Sequence, residues 1–159
     1  MTFAIRPARS GEEKLILNLL TELAEYEKLL DKFHITLDVI RRDYLGERPL
    51  LNCDLAFEGE KPAGIASWYW TYSSFAATRA IYLEDLFVRP AFRGKGYGKA
   101  LLAHLAETAV AAGAGVVEWS VLDLNKPSID FYEGIGARAD KGWYVYRLEG
   151  EALKKLGGG

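Results

Sequence analysis

The chain has 159 residues, half of them hydrophobic, with 20 basic and 22 acidic side chains and a formal charge of −2. That length suits one domain able to bury about two thirds of its unfolded surface, and the near-balanced charge excludes the sustained basic field that a nucleic acid or anionic membrane partner would call for. Cys53 is the single cysteine and the two histidines, His34 and His104, lie far apart, which excludes an internal disulfide and leaves no metal-ligand cluster.

The first residues lack the apolar run of a signal peptide and no later stretch approaches the length of a membrane span, so a cytoplasmic protein is expected. Phe3 to Pro7 reads as a short strand. Ser10 then caps a helix with Glu12 and Glu13 in its first turn and an apolar stripe of Leu15, Ile16, Leu19, Leu20 and Leu23. Thr36 caps a second helix carrying Val39, Ile40 and Tyr44, which Gly46 stops. Leu51 to Phe57 alternates as a strand does, and Gly59 to Pro62 makes the turn of a hairpin with the aromatic-rich strand Ala63 to Tyr72. A strand ending at Val88 precedes a glycine loop and a helix marked by Leu101, Leu102, Leu105 and Val110, which closes at Gly113. Gly115 to Val121 reads as a buried strand, Pro127 to Gly134 as a helix and Trp143 to Leu148 as a last strand. This order predicts an α/β fold, a mixed central sheet flanked by helices, with a domain over residues 1–156 and a flexible tail at 157–159.

The chemistry concentrates in two segments. Tyr82-Leu83-Glu84-Asp85-Leu86-Phe87-Val88 runs into Arg93-Gly94-Lys95-Gly96-Tyr97-Gly98 and a helix, a strand–loop–helix arrangement. Glycines let the backbone approach a ligand closely, and the first helical turn offers unpaired N–H groups and the positive end of the dipole, which suits a pyrophosphate. The spacing is neither G-x-G-x-x-G nor that of a P-loop. It matches R-x-x-G-x-G, and with Asn125-Lys126-Pro127-Ser128-Ile129-Asp130-Phe131-Tyr132 and Gly134-Ile135-Gly136-Ala137 further on, the chain resembles a GNAT N-acetyltransferase.

The similarity runs over nearly the whole chain. It is strongest to the diamine/polyamine (spermidine/spermine-type) and thialysine N-acetyltransferases, on Ile5-Arg6-Pro7-Ala8, Glu22 to Glu27, Thr71-Tyr72, Tyr82 to Asp85 and Asn125 to Tyr132. The resemblance implies a single-domain GNAT fold and acetyl-CoA as cosubstrate, with no metal. Its pyrophosphate would lie on Arg93, Gly94, Lys95, Gly96, Gly98 and Lys99, its pantetheine arm along the backbone of Leu86 and Val88, and further contacts would come from Asn125, Ser128 and Tyr132. Tyr132 is expected to protonate the departing thiolate and Glu84 to help deprotonate the incoming ammonium. Tyr26, Glu27, Glu84 and Asp85 correspond to positions near the amine, and a homodimer is expected. Strand alternation puts Glu84 and Asp85 on opposite faces unless a bulge of the kind common in GNAT folds intervenes. Ser73-Ser74-Phe75 departs from the acidic and aromatic pair of the animal enzymes, which removes one acidic contact to a polyamine.

Several residues admit a second role. Cys53 shares a stripe with Leu51, Leu55 and Phe57 and is expected to be a buried inert thiol rather than an acetyl-enzyme nucleophile. His104 is expected to pack within its helix, and Trp68, Trp70 and Tyr72 to line either an amine channel or a core or dimer surface. A peptide-amine acetyltransferase and a noncatalytic acetyl-CoA-binding module remain alternatives.

Overall fold

A computed structural model describes residues 2–159. The chain divides into two compact units, one through Ser120 and one from Val121 onward. The first contains β1 (Phe3–Pro7), α1 (Glu13–Tyr26), α2 (Leu37–Asp43), β2 (Asn52–Glu58), β3 (Lys61–Ser73), β4 (Thr78–Val88), α3 (Tyr97–Ala111) and β5 (Val117–Trp119). All five strands form one sheet in sequence order. β1 to β4 run antiparallel, and β5 joins β4 in parallel, which gives the expected mixed sheet.

The apolar stripes dictate how the helices cover the sheet. Ile16, Leu19, Leu20 and Leu23 of α1 and Ile40 of α2 meet Cys53, Leu55, Ile65 and Phe87 in one core, and full burial of each aliphatic side chain contributes about 1.5–3 kcal/mol. Asp54, between Cys53 and Leu55, instead faces His104 of α3 across 3.4 Å. Successive strand residues point to opposite faces, so α1 and α2 cover one face and α3 the other. Leu101 and Leu105 seal that second face.

Local signals fared unevenly. The Thr36 side chain accepts the Val39 N–H at 3.3 Å, as a helix cap should. Ser10 is not the cap of α1. Glu12 holds that position without a side-chain cap bond, because its carboxylate is taken by the Arg6 guanidinium and the Arg9 N–H. The strand expected at 115–121 shrinks to β5, with Val116 and Val121 exposed, since it is an edge with a partner on one side.

In the second unit, α4 (Lys126–Gly134) begins where the Asn125 side chain accepts the Ser128 N–H at 3.3 Å. The strand expected at Trp143 to Leu148 does not form. Trp143, Tyr144, Val145 and Tyr146 are each at least 80% exposed, and β-prone residues become a strand only where they pair and half-bury. A helix the sequence did not suggest, α5 (Gly150–Leu156), follows, and the amides of Gly157, Gly158 and Gly159 bond to its last carbonyls.

Candidate active site

Pairing of β3 with β4 slips at one point: Ser67 lies opposite Asp85, yet the next residue, Trp68, lies opposite Leu83. Glu84 is therefore the extra residue of a β-bulge. Without it the two acids would face opposite sides, but an inserted residue breaks the alternation. Glu84 and Asp85 consequently line the same cavity of about 440 Å³, with Ile35, Tyr44, Leu50, Leu51 and Tyr69.

The charges there are strained against burial. Removal from water, and then the neighbouring Asp85 charge, push the Glu84 carboxyl up. Burial likewise raises Asp85, opposed by a 2.6 Å hydrogen bond that Ser67 Oγ donates to its Oδ2. Glu27, just past the end of α1, is raised by desolvation first and by Asp85 second, although the residue as a whole remains open to solvent. Burial and the acidic pair also hold the Tyr44 phenol well above its ordinary value, so it stays a hydroxyl.

Beyond Leu83 the strand β4 has no paired neighbour on its β5 side among the described residues, because β5 is matched only to Ile81 through Leu83. That open edge leads into the glycine loop. Gly94 and Gly96 have φ of +76° and +84°, and a side chain at either would meet nothing within 4 Å, so the loop presents bare, accessible backbone. Gly96 is also the N-cap of α3, whose first amides have no helical acceptor. This combination fits a pyrophosphate.

The Acetyltransferase (GNAT) family pattern matches residues 16–137. The chain belongs to the GNAT acetyltransferase family. This GNAT enzyme, an acyltransferase, is 38% identical to the thialysine N-epsilon-acetyltransferase of Sus scrofa, over 97% of this chain and 96% of that one. It is 34% identical to spermidine/spermine N(1)-acetyltransferase-like protein 1 of Homo sapiens, over 95% of this chain but 23% of that protein. An integron cassette protein from the mobile metagenome of V. cholerae has the same fold, with a TM-score of 0.84, 27% identity and coverage of 99% and 98% of the two chains.

Within the GNAT enzyme the loop cations are engaged by the protein itself. Arg93 Nε donates to the Val88 carbonyl at 2.9 Å, and its guanidinium lies 4.7 Å over the ring of Tyr26. Lys95 Nζ sits 3.0 Å from Glu58 Oε1, which also accepts from the Tyr97 hydroxyl. Tyr26 therefore lies beside the loop and is not part of the acidic cavity's lining. Asn125, Ser128 and Tyr132 belong to the second unit, on and before α4, with Tyr132 half-buried and its ring 5.5 Å from that of Phe131.

Neither Trp68, Trp70 nor Tyr72 lines the cavity; the β3 aromatic that does is Tyr69, from the opposite face of the strand. Trp68 Nε1 donates to the buried Asp54 at 2.8 Å, and Trp70 packs edge-on against Trp68. Sequence reasoning missed Ser67, Tyr44 and Tyr69, whose roles depend on which strand or helix they face. It also missed the bidentate pair of Arg89 with Glu22, two 2.9 Å bonds that tie α1 to the start of the loop. Cys53 is buried, and burial pushes its thiol far up.

Proposed function

We propose that this enzyme transfers acetyl from acetyl-CoA to the primary amine of a small cationic acceptor, by direct attack within one ternary complex. The observation that carries the reading is the bulge at Glu84, which turns two consecutive carboxylates into one cavity beside the open edge of β4. Relatives named for thialysine and for spermidine or spermine acetylation support an amine acceptor.

Bound acetyl-CoA supplies an activated thioester. The backbone of Gly94 through Lys99 holds its pyrophosphate, and the free edge after Leu83 offers the backbone of Leu86 and Val88 to its pantetheine arm. Glu27 and Asp85 attract the cationic acceptor. Glu84, whose carboxyl is pushed up by burial and then by Asp85, accepts a proton from the ammonium, directly or through water. Tyr132, with Asn125 and Ser128 at the other motif, is assigned by family resemblance as the proton donor to the leaving thiolate. An acetyl-cysteine route has no support, because the one thiol of the chain is buried and held protonated.

A homodimer belongs to the same reading, and the exposed run Trp143 to Tyr146 is an apolar surface of the kind partners cover. The test of direct attack is initial-rate kinetics with acetyl-CoA and amine varied together. Intersecting double-reciprocal lines are expected; parallel lines would mean an acetyl-enzyme and would remove the ternary complex.

A further inference from the structure

We infer that Glu58, the last residue of β2, is a positioning residue for acetyl-CoA: through Lys95 and Tyr97 it fixes the glycine loop in the shape that offers backbone to the cofactor. The inference deepens the proposed function, since it rests on that loop holding the pyrophosphate.

The residues of the loop alternate in what they touch. Gly94 and Gly96 have left-handed backbone and would meet nothing within 4 Å if given a side chain, and Gly98 would meet only Val88 Cγ2, at 4.0 Å. The side chains that alternate with them are all engaged by the protein. Arg93 is bound to the Val88 carbonyl and the Tyr26 ring, while Lys95 Nζ and the Tyr97 hydroxyl both donate to one oxygen, Glu58 Oε1. The Tyr97 ring also stacks on Phe3 of β1, with centroids 4.1 Å apart and planes 9° apart. Lys95, which the loop pattern offers as a phosphate ligand, is instead joined to a carboxylate 37 positions earlier.

Glu58 is only 8% exposed, and a carboxylate so little hydrated needs partners. The Tyr97 hydroxyl first and Lys95 second hold its carboxyl below the ordinary range, so it remains a charged acceptor. A loop with two left-handed glycines has much conformational freedom to lose when a ligand arrives. Two bonds to a charged acceptor on the sheet restrict it beforehand. The Lys95 charge also neutralises Glu58, which would otherwise repel an incoming polyphosphate.

Glu58→Gln keeps the size of the side chain and removes the charge from both bonds, and Tyr97→Phe drops one bond while retaining the stack on Phe3. The test reads CoA affinity by calorimetry and amide hydrogen exchange of residues 93–98 in the ligand-free protein. The dissociation constant is expected to rise about tenfold in Glu58→Gln and about threefold in Tyr97→Phe, with faster exchange in both. At saturating acetyl-CoA, kcat and the KM for cadaverine should stay near those of the parent, a split that general destabilisation would not produce. The double variant should bind CoA no more weakly than Glu58→Gln alone, because both changes act on one contact. Unchanged affinity in Glu58→Gln overturns the inference, as does weaker affinity with parent-like exchange. Tighter binding also overturns it, and would make Glu58 a restraint on a phosphate-binding Lys95. If Glu58→Gln does not fold, Tyr97→Phe decides by the same readouts. Gly98→Val separates the two readings: CoA affinity lost there but kept in Glu58→Gln removes only the role of Glu58, whereas affinity kept in both removes the loop as the pyrophosphate site.

Discussion

Ser67, wholly buried on β3, donates a 2.6 Å hydrogen bond to Asp85 Oδ2 across the strand pair, next to the bulge that frees Glu84. The bond stabilises the charged form of Asp85 against the cost of its burial. Ser67→Ala should therefore raise the Asp85 proton affinity further and weaken capture of a cation. The expected result is a higher KM for diamines, most pronounced at lower pH, and a stability loss of about 1 kcal/mol from the lost bond. Steady-state kinetics across pH, with thermal melts, check both; a KM unchanged at every pH would detach Asp85 from substrate.

Burial holds the Glu84, Asp85 and Glu27 carboxyls above their ordinary values, so these three groups hold more protons in the folded protein than in the unfolded chain once pH passes about 4. Their contribution to stability should fall as pH rises through their folded values. Asp85→Asn keeps an acceptor for Ser67 and removes the charge. Its melting temperature is expected to exceed that of the parent at pH 7, by about 2–4 °C per kcal/mol of relieved strain in a chain of this size, and to converge with it at pH 4. A variant less stable at pH 7 would contradict the assignment of burial strain.

Gly96 has a left-handed backbone at the cap of α3, so any side chain there brings strain of about 1–2 kcal/mol as well as bulk. Gly98 offers a cleaner probe. Its backbone is not left-handed, and an added Cβ would meet only Val88 Cγ2, at 4.0 Å. Gly98→Val is expected to weaken acetyl-CoA binding in calorimetry while keeping the melting temperature near that of the parent. Undiminished affinity would show that the loop does not hold the pyrophosphate.

Tyr132→Phe retains the ring on α4 and removes the hydroxyl proton. Turnover should drop on the order of 10²-fold with acetyl-CoA affinity largely retained, the pattern of a lost general acid. Rates equal to the parent under conditions where chemistry limits turnover would assign thiolate protonation to water.

What could be read from the sequence was local. The Thr36 cap, the apolar stripes of α1 and α3 and the strand–glycine–helix order each depend on residues a few positions apart. The bulge at Glu84 was named only as an exception, because a two-against-one mismatch exists only relative to a partner strand. Ser67 and Asp85 are 18 residues apart, and Arg89 and Glu22 are 67 apart, so no short-range pattern joins them. Trp143 to Leu148 failed for the converse reason: composition favours a strand, but pairing makes one.

The proposed division of roles between Glu84 and Asp85 in one cavity is tested most directly by comparing Glu84→Gln and Asp85→Asn with the parent in CoA release from cadaverine across pH. Glu84→Gln is expected to lose turnover by on the order of 10²-fold and to shift its rate profile upward toward the pKa of the amine itself, whereas Asp85→Asn should chiefly raise KM. Parent-like kcat, KM and pH profile in both variants would place the acceptor outside this cavity.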